Sequence, residues 1–143
     1  MAADGLDDAT IRHILTTVRR IALVGASKKP SRDANHVQAF LQGRGYDVTP
    51  VNPGIAGERL HGRTVVASLD QAAPLEMVDI FRASDHVAPI VDDAIRLGAR
   101  VIWMQLGVVN EAAAEKARAA GLTVVMDRCP LIETGRLGLS RAA

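Results

Sequence analysis

The stretch IALVGASKKPSR, residues 21–32, joins a short apolar run to a loop of small and basic residues. Consecutive apolar residues are typical of a strand that is buried on both faces of a parallel sheet. Gly25 allows a sharp turn where that strand ends, and Ser31 or Asp33 can cap a helix that follows. The stretch therefore predicts a strand–loop–helix unit of an α/β fold.

The same alternation of strand and helix continues along the chain. Apolar runs like the first predict four further strands, at residues 46–51, 76–81, 100–104 and 122–126. Further helix starts are expected at Asp7 or Asp8, Ser68, Ser84 and Asn110. Such alternation builds right-handed βαβ units and a doubly wound parallel sheet with helices on both faces. We expect one domain over residues 1–143 with an ordered core at about 8–132, and a frayed terminus at 1–7.

Composition and charge exclude several classes of protein. Of the 143 residues, 48% are hydrophobic and 23% charged, which is typical of a globular protein. A formal net charge of +1 argues against binding to nucleic acid or a membrane surface through bulk charge. The single cysteine, Cys129, excludes an internal disulfide framework. The chain has no apolar run of membrane-spanning length and no secretory signal pattern, so we expect a cytoplasmic protein.

The loop after the first strand has the composition of an anion site. Gly25 leaves room for a ligand, and the N–H groups that start the next helix are unpaired donors with a partial positive charge. Ser27 adds a hydroxyl donor, and the loop's positive charges are Lys28, Lys29 and Arg32. A solvated basic loop is the ordinary alternative, but doubly wound sheets bind ligands at this end of their strands. We therefore predict a phosphate cradle here.

This loop lacks the signatures of two common nucleotide sites. The dinucleotide fingerprint G-x-G-x-x-G would require glycine where the chain has Ser27 and Pro30, and the Gly-Lys-Ser/Thr of a Walker loop is absent. NAD sites usually carry an acidic residue after the second strand, which here runs into Asn52-Pro53. NAD is therefore disfavoured, whereas a ligand with an additional phosphate suits the basic residues.

Short motifs follow one another in a fixed order along residues 11–132. They are Gly25-Ala26-Ser27 with Pro30 and Arg32, Gly45-Tyr46 with Pro50-Val51-Asn52-Pro53, Val78-Asp79 with Phe81-Arg82, Trp103-Met104-Gln105-Leu106-Gly107-Val108 with Asn110-Glu111, and Asp127-Arg128-Cys129. In this order they resemble the CoA-binding domain family, whose small members are similar to the amino-terminal domain of the succinyl-CoA synthetase α subunit. The resemblance implies a single Rossmann-like domain with strand order 3-2-1-4-5 and coenzyme A or an acyl-CoA as ligand. The synthetase's phosphorylated histidine lies in a second domain, so its activity is not implied.

The same resemblance assigns a part of the ligand to each loop. The turn after the first strand and its basic residues would hold the diphosphate. Asn52-Pro53 and Phe81-Arg82 would flank the adenosine portion, with Phe81 as a flat apolar surface for adenine and Arg82 as a charge for phosphate. Residues 105–107 would lie toward the pantetheine arm. The expected ligand-binding residues are Gly25, Ala26, Ser27, Lys28, Lys29, Arg32, Asn52, Pro53, Phe81, Arg82, Gln105, Leu106 and Gly107.

The sequence predicts no catalytic residue and no metal site. The four histidines have no histidine or cysteine partner at metal-ligand spacing. His36 and His86 lie near predicted helix starts and could meet an anion. Cys129 could form a mixed disulfide with the CoA thiol under oxidation, although free cysteine is usually inert packing. We expect a CoA-binding module whose protein partner is unknown, with an NAD(P)-dependent reductase or an acyl-CoA-processing enzyme as the alternative.

Overall fold

The computed structural model describes residues 4–139, which form a five-stranded parallel sheet, a small hairpin and five α-helices. The helices are α1 (Asp8–Thr17), α2 (Asp33–Gly43), α3 (Val87–Arg96), α4 (Glu111–Ala119) and α5 (Pro130–Arg136). The strands are β1 (Arg20–Val24), β2 (Asp47–Val51), β3 (Arg59–Leu60), β4 (Arg63–Thr64), β5 (Met77–Ile80), β6 (Val101–Met104) and β7 (Thr123–Val125). Short 3-10 helices cover Pro53–Ile55, Leu69–Ala72 and Ser84–His86. No helix within residues 4–139 is both long and apolar enough to cross a membrane.

Helices cover both faces of the sheet, which confirms the predicted fold class. Successive side chains of a strand point to opposite faces, and in β1 Ile21 and Leu23 join one apolar cluster while Ala22 and Val24 join the other. The first cluster packs the sheet against α1 and α2, and the second packs it against α3 and α4. The chain therefore forms a Rossmann-like α/β fold with two buried layers.

The predicted strand order 3-2-1-4-5 is wrong. The observed order is β2-β1-β5-β6-β7, so the third sheet strand in the chain pairs with β1 rather than with β2. The outer edge of β2 is met instead by Val66, which forms an isolated parallel bridge with Val51. The short helix Leu69–Ala72 then contacts both β2 and β1, and so leads the chain back across them to β5.

Some of the predicted helix caps are confirmed and others are wrong. Asp7 caps α1 by accepting a hydrogen bond from the Thr10 N–H, and Asn110 caps α4 in the same way. The N-cap of α2 is Arg32, whose side chain makes no capping hydrogen bond. The predicted caps of this helix, Ser31 or Asp33, are therefore wrong. The Ser84 hydroxyl accepts from the Val109 N–H at 3.0 Å and so links two loops instead of capping α3.

Both ends of the described chain are fixed by one buried arginine. Asp4, with a fully buried side chain, accepts hydrogen bonds from Arg128 at 2.9 Å. Arg128 also pairs with Glu133 of α5 at 2.7 Å. Burial alone would raise the pKa of Asp4, but its hydrogen bonds from Arg128 and two N–H groups lower it. These contacts join Asp4 to the loop after β7 and to α5, and residues 1–3 of the expected frayed terminus lie outside the described residues.

Asp79 is a fully buried carboxyl group in the middle of the sheet. It lies in β5 opposite Leu23 of β1 and Trp103 of β6. The Gln105 amide, turned so that its nitrogen faces the carboxyl group, donates to Asp79 Oδ1 at 2.8 Å and to Oδ2 at 3.3 Å. Loss of hydration raises the pKa of Asp79 well above its ordinary value, because no cation within residues 4–139 pairs with it.

We predict that Asp79→Asn stabilises the protein at alkaline pH. An acid whose pKa is higher in the folded protein than in the unfolded chain adds most stability below the unfolded pKa of about 4, and that stability is lost as the pH rises through the folded pKa. The variant does not titrate there, so its Tm should exceed that of the wild type at pH 8 by several degrees. Roughly 1 kcal/mol corresponds to about 3–5 °C for a chain of this size.

The measurement is thermal unfolding by circular dichroism between pH 4 and pH 9. Asp85→Asn is the control, because its side chain is 84% exposed and its loss should leave the pH profile unchanged. If instead the Tm of the wild type exceeded that of Asp79→Asn by an amount that grows with pH, the raised pKa assigned to Asp79 would be wrong.

Candidate functional site

A cavity of about 1110 Å³ opens at the carboxyl ends of β1, β2 and β5. From β1 the chain passes to β2 on one side, and β5 lies on the other side, so the strand order reverses at this place. Doubly wound sheets bind their ligands at such a point. Ten of the thirteen expected residues line the cavity: Gly25, Ala26, Ser27, Lys28, Lys29, Arg32, Asn52, Pro53, Phe81 and Arg82.

Gly25 is required by the close packing of two strand ends. Its φ of +93° lies in the left-handed region, and a Cβ atom there would lie 2.8 Å from the Phe81 carbonyl oxygen. The N–H groups of Gly25 and Ala26 both donate to the Val51 carbonyl oxygen, at 3.0 and 3.3 Å. The loop after β1 is therefore held between the ends of β2 and β5.

Two asparagines hold the carbonyl groups of this loop. Asn52 Nδ2 donates to the Ala26 carbonyl oxygen at 2.8 Å, and Asn35 Nδ2 donates to the Ser27 carbonyl oxygen at 2.9 Å. In a trans peptide the C=O and the next N–H point in opposite directions. The N–H groups of Ser27 and Lys28 therefore point away from the two asparagines. Because Asn52 Oδ1 also accepts from the Gly54 N–H at 2.8 Å, both ends of the Asn52 amide are engaged by backbone.

The loop and the start of α2 present hydrogen-bond donors without acceptors. Within residues 4–139, the backbone N–H groups of Ser27, Lys28, Asp33 and Ala34 meet no protein acceptor. The start of a helix also carries a partial positive charge. Unsatisfied donors of this kind, grouped around a cavity, form a ready site for an anionic oxygen.

Basic side chains surround these donors. Lys28 Nζ lies 2.6 Å from Glu58 Oε1, and both side chains are about half exposed. Lys29, Arg32 and Arg82 have no ion-pair partner in the part of the chain that the structure describes. Because an exposed ion pair contributes little, an incoming phosphate can replace Glu58 on Lys28 at small cost. The two carboxylates of the lining are Asp33 and Asp93.

The other three expected residues lie outside the cavity. Gln105, Leu106 and Gly107 follow β6, which is separated from β1 by β5. Gln105 is buried against Asp79, while the Leu106 side chain is 54% exposed and the Gly107 N–H donates to Asp127 Oδ1 at 2.7 Å. The loop after β6 therefore lies at the carboxyl ends of the strands but outside the cavity lining, and the hydrogen bond to Asp127 holds its backbone in place.

The structure adds lining residues that the sequence did not suggest. They come from the segment after β2 and from the first turns of α3, and include Ile55, Ser68, Leu69, Pro89, Ile90 and Asp93. The predicted strand order concealed the residues of α3, because α3 borders the cavity only when β5 lies beside β1.

Of the two histidines considered for anion contact, His86 lines the cavity and His36 does not. Cys129 is buried in the core, away from the cavity lining.

Within residues 4–139, no three histidine, cysteine, aspartate or glutamate side chains are grouped so that they could hold a metal ion. The chemical character of the cavity is therefore set by N–H donors, basic side chains and apolar walls.

The chain resembles known proteins in both sequence and fold, and they point to one family. Residues 19–135 match the family model described as CoA binding domain. The uncharacterized protein YneT of Bacillus subtilis (strain 168) is 37% identical over 122 residues, which are 85% of this chain and 89% of YneT. A hypothetical protein from Pyrococcus horikoshii OT3 superposes with a TM-score of 0.91 at 44% identity, over 97% of each chain.

A larger enzyme carries a similar domain. Acetyl-coenzyme A synthetase 1 of Ca. Korarchaeum cryptofilum, solved in complex with phosphate and ADP, superposes with a TM-score of 0.67 at 25% identity. The match covers 82% of this chain but only 27% of the synthetase chain. From the family match over most of its length and its identity to YneT, the chain belongs to the CoA-binding domain family.

Proposed function

We propose that this chain binds coenzyme A or an acyl-CoA as a module without chemistry of its own. Membership of the CoA-binding domain family supports a CoA-related role. The observation that carries the proposal is the group of free N–H donors between the Gly25 turn and the start of α2, beside Lys29 and Arg32. Such a group suits the diphosphate of CoA, which carries several anionic oxygens close together.

The diphosphate would lie over the loop after β1. The N–H groups of Ser27 and Lys28 would bind one phosphate, and those at the start of α2 would bind the other. A hydrogen bond between a donor and a charged group contributes about 1.5–3 kcal/mol. Arg82, which follows β5 and also lines the cavity, would add a further positive charge. These contacts recognise phosphate and leave the remainder of the ligand to the other walls.

The pantetheine arm would leave the cavity toward the loop after β6. Ser84 links this loop to the loop that carries Arg82, because its hydroxyl accepts from Val109 and its carbonyl accepts from Asn110 Nδ2 at 3.0 Å. The exposed Leu106 side chain would then contact the arm or its acyl group. The thiol would end at the protein surface, where a partner protein could reach it.

We expect the module to leave the thioester unchanged, although the Ser84 hydroxyl lies beside this path and His86 lines the cavity. Along this path, within residues 4–139, Asp79 and Cys129 are buried in the core, and Gln105 lies between Asp79 and the surface. Acyl transfer needs a nucleophile, a base and an oxyanion site in contact with the ligand. The proposal also places the chain in the cytoplasm as a single domain, a setting that suits a free, unpaired thiol at Cys129.

We predict that replacing Lys28, Lys29 and Arg32 together by Ala weakens CoA binding strongly. Three lost phosphate contacts of about 1 kcal/mol each lower the affinity roughly 100-fold. Titration calorimetry at two salt concentrations measures this, and the residual binding should depend less on salt than that of the wild type.

The matched control removes three exposed basic residues away from the cavity: Arg12, Arg19 and Arg118. It has the same net charge as the first variant and should bind CoA almost as the wild type does. Equal losses in both variants would mean that bulk charge, rather than the loop, holds the ligand.

We also predict that the protein does not hydrolyse acetyl-CoA. A free-thiol assay on the purified chain with acetyl-CoA should show the same slow release as buffer alone, because Asp79 and Cys129 are buried and the Ser84 hydroxyl is bonded to the Val109 N–H. Steady release of CoA that scales with protein concentration would exclude the binding-only function.

A further inference from the structure

The cavity continues beyond the phosphate loop between two apolar walls. One wall is Ile55 and Leu69 of the segment after β2, and the other is Pro89 and Ile90 of α3. Leu69 is buried, and Ile90 is half-buried against the core. A space between apolar side chains suits a flat heteroaromatic ring better than a charged group.

An arginine joins the two segments that carry these walls. Arg96 of α3 donates to both carboxylate oxygens of Asp70, at 2.7 and 3.0 Å, and also to Asp93 Oδ1 at 3.2 Å. Asp70 follows Leu69 directly, so this bidentate contact ties the first wall to the second. The two walls are therefore joined by this ion pair, and Leu69 and Ile90 also belong to one apolar cluster.

Asp93 brings an unused acceptor into this space. It lies three residues after Ile90 on α3, so both share the face of the helix that lines the cavity. Its Oδ1 atom accepts from Arg96, whereas its Oδ2 atom has no hydrogen-bond partner among residues 4–139. Its side chain is 50% exposed, so it keeps its access to a ligand. An ionised carboxylate only accepts hydrogen bonds. The ligand group that Asp93 can bind is therefore an N–H or O–H donor.

We propose that the base of the nucleotide lies between these walls and donates a hydrogen bond from its exocyclic amino group to Asp93 Oδ2. This inference rests on the proposed function, since adenine is the base of CoA. The walls would sandwich the ring, and Asp93 would select a purine that carries a donor at its 6-position. Phe81, which was expected to supply the flat surface, also lines the cavity, and its carbonyl group lies against Gly25.

The test compares two nucleotides that differ only in this donor. Adenosine 3′,5′-bisphosphate carries the amino group, and purine riboside 3′,5′-bisphosphate carries hydrogen in its place. Calorimetric or competition titrations of the wild type should show a preference of roughly tenfold or more for the adenosine compound, as expected for a hydrogen bond to a charged acceptor. In Asp93→Ala the preference should fall to within about twofold.

Two further variants separate base recognition from folding. Asp93→Asn retains an acceptor oxygen and should keep an intermediate preference. Asp92→Ala is the matched control, because Asp92 is the adjacent residue, pairs with Lys116 at 2.5 Å and does not line the cavity. It should retain the full preference, and all variants should melt cooperatively.

The outcomes distinguish this inference from the proposed function. If the wild type binds CoA but binds both bisphosphates equally, the role of Asp93 is wrong and CoA binding stands. An unchanged preference in Asp93→Ala, or tighter binding of guanosine 3′,5′-bisphosphate than of the adenosine compound, would also overturn it. If the wild type binds neither CoA nor the bisphosphates, both proposals fail.

Discussion

The turn at Gly25 joins the ends of three parallel strands. Its N–H and that of Ala26 bond to Val51 at the end of β2, and its Cα lies so near the Phe81 carbonyl that no side chain fits. This contact fixes where the loop after β1 can lie, and Asn35 and Asn52 then fix how its peptide groups are oriented. The donors for an anion are therefore positioned by the fold before a ligand arrives, which lowers the entropy lost on binding.

The same edge of the sheet holds buried polar groups that bond to one another. Asp79 and Gln105 satisfy each other beneath the loop after β6, and Asp127 holds the Gly107 N–H of that loop. The buried Arg128 joins the next loop to both ends of the described chain. Satisfied polar groups of this kind make a region rigid, and here they support the loops after β6 and β7.

Local sequence features predicted most of the elements and the anion loop, and long-range packing decided the rest. The strands and the loop after β1 follow from apolar runs, Gly25 and the basic residues. The strand order, which was taken from the resemblance, was wrong, because long-range contacts decide which strands pair and here place β5 beside β1. That error hid the wall formed by α3. Residues 105–107, which the resemblance placed toward the pantetheine arm, lie outside the cavity lining. Helix α5 was missed because it is only seven residues long and its buried positions include the polar residues Glu133 and Thr134.

We propose that the donors after β1 bind the diphosphate of CoA in preference to that of a nicotinamide dinucleotide. Isothermal titration calorimetry of the full chain with CoA, and with NAD and NADP in parallel, tests it directly. We predict saturable one-to-one heat with CoA and none with either dinucleotide at the same concentrations. Heat with NAD or NADP and none with CoA would contradict the account and indicate a redox function for this cavity.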